Sequence, residues 1–323
     1  MNVSPRVSVA IPLHNEESVV PELVRRLTTV LDALPGGPHE MVFVDDGSSD
    51  ATAELLGEAS AEDQRITLIS LSRNFGHQPA ITSALDHTSG DVTVVMDGDL
   101  QDSPEALPQF LAKHAEGYDV VYAKRVNRKE SWWLRASYWA YYRMLARLSH
   151  IYLPLDSGDF SLMSSRVVHE LRRMPERQRY VRGLRTWVGF RQTGIEIERA
   201  ERHSGQSKYS AWGLLKLASD GIFAFSTVPI RMALMLGVVG MAASTLFAIY
   251  ALVAKLLLHR SPQGFTALLV VITFLSGVNL TFLGIIGEYV GRMYEEIKAR
   301  PIYVIGRMIR NGREVSMTAG QRG

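Results

Sequence analysis

Cysteine is absent from all 323 residues. Disulfide staples and thiolate metal sites are thereby excluded, and a reducing compartment is permitted. Two nucleotide-binding signatures are missing as well. The turn after the first expected strand reads Pro12-Leu13-His14-Asn15-Glu16, where a dinucleotide fold would carry Gly-x-Gly-x-x-Gly. No Gly-x-x-x-x-Gly-Lys-Ser/Thr phosphate loop occurs. Charge is missing from two long runs, the 23 residues Met232–Ala254 and the 24 residues Gly264–Gly287. Each exceeds the roughly 20 residues that cross a bilayer as a helix.

Basic residues are scarce at the front, where residues 1–100 hold 5 Lys+Arg against 16 Asp+Glu. The balance reverses to 21 against 13 over residues 101–231 and 9 against 4 over 232–323. An acidic front suits a metal-dependent site, and a basic back suits anionic partners. Arg231, Arg292, Lys298, Arg300, Arg307, Arg310 and Arg313 flank the two apolar runs, against only Lys255 and Arg260 in their connector. The positive-inside rule then predicts a two-helix hairpin in the inner (cytoplasmic) membrane, multi-pass, with both termini cytoplasmic. Met1–Arg6 leads straight into a strand, so no signal peptide is expected. Gly237, Gly240, Ser244, Gly277, Gly284, Gly287 and Gly291 offer small faces for helix packing and for a homo-oligomer.

The first 130 residues alternate strand-like and helix-like patterns. Apolar runs at Val7–Leu13, Glu40–Val44, Ile66–Leu71, Asp91–Met96 and Asp119–Ala123 are separated by amphipathic stretches such as Ser18–Leu34. That alternation predicts an α/β, Rossmann-like, mostly parallel sheet. Open sheets of this kind bind ligands at the carboxyl ends of their strands. The fourth strand ends there in Asp97-Gly98-Asp99-Leu100-Gln101, two carboxylates and an amide oxygen suited to a hard divalent ion that bridges phosphates. Side-chain donors and acceptors in the first turn suit a base or a ribose. Between Ser131 and Tyr152, Trp132, Trp133, Trp139 and several tyrosines accompany Arg135, Arg143 and Arg147. The arginines fall within an arc of about 120° on a helix, the pattern of an interfacial helix. A second such candidate is 211–225. With the basic residues beside these aromatics, no nucleic-acid partner is expected.

Six motifs stand in order on this scaffold: Pro12-x-x-Asn15-Glu16, Asp45-Asp46-Gly47-Ser48-x-Asp50, Arg73-Asn74-Phe75-Gly76, Asp97-Gly98-Asp99-Leu100-Gln101, Gly158-Asp159-Phe160 and Arg202-x-x-Gly205-x-Ser207-Lys208. Together they resemble the family 2 glycosyltransferases of GT-A fold, and within them the polyprenyl-phosphate glycosyltransferases. The resemblance implies an inverting transfer of a hexose from a nucleotide-sugar donor, UDP in preference to GDP, to a polyprenyl phosphate at the cytoplasmic membrane face. It implies Mg²⁺ or Mn²⁺ held by Asp97, Asp99 and Gln101 against the donor diphosphate. Pro12, Asn15, Glu16, Asp46 and Asp97 would bind the donor nucleotide, with Arg202, Ser207 and Lys208 closing over it. Arg125, Arg128 and Arg135 match positions for the acceptor phosphate. Asp99 and Asp159 would be the catalytic carboxylates.

The organisation expected is a nucleotide-sugar-binding half at 1–130, an acceptor-binding part with interfacial amphipathic helices at 131–228, two transmembrane helices within 229–295, and a basic cytoplasmic tail at 296–323. A processive polysaccharide synthase would need Gln-x-x-Arg-Trp, and Gln178 is instead followed by Arg179-Tyr180-Val181-Arg182. A membrane-tethered binder of nucleotide sugar or lipid phosphate without catalysis is the alternative, against which the complete Asp97/Asp99/Gln101 set argues.

Overall fold

The computed structural model describes residues 4–125, 157–177, 179–197, 228–257 and 264–315. The runs Val7–Leu13 (β1), Glu40–Asp45 (β2), Ile66–Leu71 (β3) and Val92–Val95 (β4) form a parallel group ordered β3-β2-β1-β4. Near-continuous apolarity is what such strands need, because helices cover both of their faces. Val20–Ala33 (α1) buries Val20, Leu23, Leu27 and Leu31 at helical spacing. These pack with Val9, Ile11 and Phe43 in one core. His77–Asp86 (α3) brings Ala80, Ile81 and Ala84 to a second core containing Ala10, Val42 and Val44, the alternate residues of the same strands. Thr52–Glu62 (α2) joins β2 to β3 on the α1 side, with Leu56 in the first core.

The sheet is larger and more mixed than the alternation predicts. Its nine strands run in the order β7-β5-β6-β4-β1-β2-β3-β8-β9. Leu107–Ala115 (α4) leads into Val120–Arg125 (β5), which pairs antiparallel with Ser157–Ser164 (β6) and parallel with Gln192–Ile197 (β7). β6 is also antiparallel to β4. Ser165–Arg173 (α5) and Val181–Trp187 (α6) lie between β6 and β7 in the chain. At the other edge, Ile305–Arg310 (β8) pairs antiparallel with β3, and Arg313–Glu314 (β9) follows. The segment expected as a basic tail thus contributes strands to the sheet. Adjacent Met308 and Ile309 enter the second and first cores respectively, and an irregularity in register opposite Ser70 and Leu71 brings Ile305 to the second core as well.

Two long helices, Val228–Leu257 (α7) and Phe265–Ile297 (α8), belong to a second compact unit. They contain the expected span 232–254 and all of 264–287 but its first residue, Gly264, which caps the second helix. Among the described residues, one stretch, Phe274–Ile297, is long and apolar enough to cross a membrane. Within this unit a Cβ added to Gly237 would lie 4.0 Å from Cε2 of the Phe282 ring, ordinary van der Waals contact. The interfacial helices expected within 131–152 and 211–225 lie outside the described residues.

Candidate active site

β1 is flanked by β2 on one side and β4 on the other, so consecutive connections leave it in opposite directions along the sheet. A crevice opens at such a switch point, beyond the carboxyl ends of the strands. The chain past β1 and β2 is tied together there by its own polar groups. Asn15, at φ 54°, donates its backbone N–H to Ser48 Oγ (2.9 Å), and its Oδ1 accepts the Ser49 N–H (2.8 Å). The Glu16 N–H donates to Thr52 Oγ1 at 2.9 Å. Pro12 is paired with Val44 inside the sheet.

Asp46 is buried, and both of its oxygens are engaged with backbone. Oδ1 accepts the Phe75 N–H at 2.7 Å and Oδ2 the Gly76 N–H at 2.9 Å. Burial raises its pKa above the ordinary carboxylate value, although those two N–H groups pull the other way. The visible duty of Asp46 is therefore to clamp the 73–76 loop, and with it the start of α3. Gly47 makes the clamp fit: at φ 64°, a Cβ there would come within 2.5 Å of the Arg73 carbonyl carbon.

The acidic turn after β4 is equally tight. A Cβ on Gly98 would meet Leu13 Cδ2 at 2.3 Å and Cγ at 2.9 Å, so a larger residue would have to displace the buried Leu13 side chain for this turn to rest on the tip of β1. Leu100 is left-handed at φ 59°. The Asp97 N–H donates to buried Asp102 Oδ2 (3.2 Å), and the Gln101 N–H to Asp99 Oδ1 (3.1 Å). Among the described residues no group of three or more His, Cys, Asp or Glu side chains is arranged to hold a metal ion. The donor set is instead two carboxylates and an amide on one constrained turn. It fits a divalent ion of the kind bound through one or two carboxylates with substrate phosphates completing its shell.

Strand register decides what faces this turn. Val95 of β4 lies opposite Ser161 of antiparallel β6. Two residues onward along β4 and two back along β6, the same register brings Asp97 level with Asp159. Phe160, between them in the alternation, is buried edge-on against Phe110 at 4.8 Å between centroids. His77, the first residue of α3, lies between the two carboxylates, with Nε2 3.5 Å from Asp97 Oδ1 and 3.7 Å from Asp159 Oδ2. Arg182 of α6 closes the row, with Nη2 3.0 Å from Asp159 Oδ2. Burial opposes the charge on Asp159, yet Arg182 and His77 more than offset it and hold the carboxyl far below the usual range. Burial likewise opposes a charged His77, and Asp159 and Asp97 outweigh it to raise the imidazole pKa.

Behind this row sits Arg185, 2% exposed, which burial pulls down to about 10. Its Nη1 is 3.5 Å from the Gly158 carbonyl, and its guanidinium lies 5.4 Å from the Tyr122 ring centroid. Sequence reasoning passed over His77, Arg182 and Arg185. His77 directly follows the Arg73–Gly76 motif, which was the available signal. Arg182 was weighed only within the Gln-x-x-Arg-Trp pattern that it fails.

Of the other expected site residues, Arg125 is the last residue of β5, at the same sheet edge as Asp97. Arg128, Arg135, Arg202, Ser207 and Lys208 lie outside the described residues. A cavity of about 480 Å³ at the amino end of β4, lined by Ser89, Arg166, His169 and Arg172 among others, is at the opposite edge from this site.

Residues 8–172 match the domain described as Glycosyl transferase family 2. An uncharacterized glycosyltransferase, YkcC, of Bacillus subtilis (strain 168) is 42% identical over 299 residues, covering 92% of each chain. The bactoprenol glucosyl transferase of Shigella phage SfII is 36% identical over 302 residues, covering 93% of this chain and 97% of its own. Among solved structures, the mannosyltransferase PcManGT from Pyrobaculum calidifontis, in complex with GDP-Man and Mn²⁺, is 18% identical. It covers 92% of this chain and 86% of its own, at a TM-score of 0.49.

Proposed function

The chain belongs to glycosyl transferase family 2, and from that premise we propose that it transfers a hexose from a nucleoside-diphosphate sugar to a polyprenyl phosphate. The observation that carries the reading is the row Asp97–His77–Asp159–Arg182, held at the carboxyl edge of the parallel strands. Similarity to bactoprenol glucosyl transferases over more than nine-tenths of the chain supports the polyprenyl phosphate acceptor. In this proposal the donor is a UDP-sugar in preference to a GDP-sugar.

In this reading the donor nucleotide lies over the tips of β1 and β2, against Asn15, Glu16 and the loop that Asp46 clamps. Asp97, Asp99 and Gln101 would hold Mg²⁺ or Mn²⁺, whose chemistry when bound is to neutralise charge on the leaving diphosphate. An oxygen of the acceptor phosphate forms the new bond to the anomeric carbon. The bond from that carbon to the diphosphate oxygen breaks, and its electron pair departs with the nucleoside diphosphate. The acceptor is already an anion near neutral pH, so no base need take a proton. Asp159, kept ionised by its neighbours, is placed to stabilise positive charge that develops on the sugar. A single displacement inverts the anomeric centre.

In this proposal the protein is attached to a membrane through a pair of helices, which the connectivity supports. α8 holds a stretch able to span a bilayer, yet β8 beyond it pairs with β3 in the same sheet as the amino-terminal strands. Chain that leaves the sheet and returns to it crosses a membrane an even number of times. At 1.5 Å per residue, the 30 residues of α7 extend about 45 Å, enough for the second crossing of a core about 30 Å thick. The excess of arginine and lysine outside the connector of the two helices supports a cytoplasmic side for the sheet.

The test is transfer from radiolabelled UDP- and GDP-sugars to undecaprenyl phosphate in membranes, with Mg²⁺, Mn²⁺ or EDTA. A lipid-linked, metal-dependent product from one donor is expected. Nucleotide-sugar binding without lipid product from any donor would overturn the reading.

A further inference from the structure

Arg182 and Arg185 stand three apart on α6 and so share one helical face. The carboxylate they face is that of Asp159. Arg182 engages it along its side, Nη2 to Oδ2 at 3.0 Å and Nε to Oδ1 at 3.4 Å. Arg185 has its Nε and Nη2 buried without a hydrogen-bond partner. One guanidinium group thus pairs with the carboxylate, and the deeper one, which reaches only the neighbouring Gly158 carbonyl, is under-satisfied. An uncompensated cation in a protein interior is costly. Such an arrangement is built for a further anion.

The row of contacts says where that anion lies. Asp97 is at the metal-binding turn, so the leaving diphosphate belongs at that end. In-line displacement brings the attacking oxygen to the opposite side of the anomeric carbon. Beyond Asp159, in that direction, comes Arg182, the half-buried member of the pair. The start of α6 is also fixed to the start of α3, because Gln78 Oε1 accepts the Val181 N–H at 2.8 Å. His77 and Arg182 are thereby held in register across the site.

We propose that Arg182 binds the phosphate monoester of the acceptor, sharing its fork between Asp159 and a phosphate oxygen, with Arg185 as the buried positioning charge beneath. The assignment rests on the glycosyl-transfer reading and adds a ligand to the phosphate site for which Arg125, Arg128 and Arg135 were expected. A planar fork can pair two oxygens at once, which a lysine cannot.

Kinetics of the full-length protein in detergent, with the donor found active and undecaprenyl phosphate varied, test this. Wild type is measured first; if it makes no lipid product, the glycosyl-transfer reading fails and Arg182 is not at issue. With active wild type, Arg182→Ala is expected to raise the acceptor KM about 10- to 100-fold, the loss of a charge-assisted pair, while the donor KM stays within about twofold. Arg182→Lys should recover part of that loss, and Arg185→Lys should move the acceptor KM in the same direction by a smaller factor. Should the alanine variant fail to fold, Arg182→Lys carries the test, with an acceptor KM raised at least about threefold. An unchanged acceptor KM, or donor and acceptor KM rising together, would overturn the proposal.

Discussion

Strands β1, β2 and β4 bring Asn15, Asp46, Asp97 and Asp99 to one edge of the sheet, whereas β6 with α6 pairs Asp159 with Arg182 and sets Arg185 against the adjacent Gly158 carbonyl. The first region is acidic and assembled from parallel strand tips; the second is net basic and assembled around an antiparallel strand. Both are rigid, but by different means. The parallel tips are pinned by backbone N–H groups on carboxylates, as at Asp46, and by the close rest of Gly98 on Leu13. The antiparallel side is pinned by Phe160 on Phe110 and by charge pairing. The proposed reaction, which parts an anionic leaving group from an anionic nucleophile, would use this division by setting the acidic turn with its ion at one and guanidinium groups at the other.

The comparison breaks most completely at the acidic turn. Asp99→Ala should lower lipid-product formation about 10³-fold, the scale of losing one preorganised electrostatic contact at developing charge. Its melting temperature should match wild type, and an active Asp99→Ala would remove the turn from the mechanism. A change at the far edge should sharpen the contrast by sparing both regions. Ile309 is 6% exposed and pairs across β8 with Leu68. Ile309→Ala should cost about 2–5 kcal/mol of stability in denaturant titration. The ratio of donor to acceptor KM should not move; a shift in that ratio would show β8 acting on the site.

The smallest effect concerns the acidic half away from its tips. Arg26, hydrogen-bonded to Glu105, holds that carboxyl at about 2, below its ordinary 4.5. A depressed pKa gives stabilisation that is present above the unfolded value and lost as pH falls from about 4.5 toward 2. Glu105 is half exposed, so screening keeps the pair below about 1 kcal/mol. Arg26→Ala should melt slightly below wild type at pH 7, and the gap should narrow as the pH falls toward 3. A gap that widened in acid would reverse the assignment.

The parallel half was legible because its signals are local. Runs such as Val7–Leu13 and Ile66–Leu71 end where the observed strands end, and Asp97-Gly98-Asp99 falls on the tip of β4 as its spacing predicts. The other half was not, because strand direction and partner leave no periodic trace. Nothing local in Ser157–Ser164 says that it runs against β4, and nothing in Ile305–Arg310 says that a basic segment beyond a long apolar helix completes the sheet beside β3.

The sequence by itself determined the α/β alternation, the acidic turn with its oxygen donors, and the family. These depend on residue type and on short spacing along the chain. Only the tertiary structure decided that Asp97 and Asp159, 62 positions apart in the numbering, stand level across β4 and β6. It also decided that His77 lies between them, that Arg182 pairs with Asp159 and that Arg185 is buried behind it. Those facts come from pairing register and helix docking, which are set by how distant segments bury their apolar faces together, and no single segment carries that information.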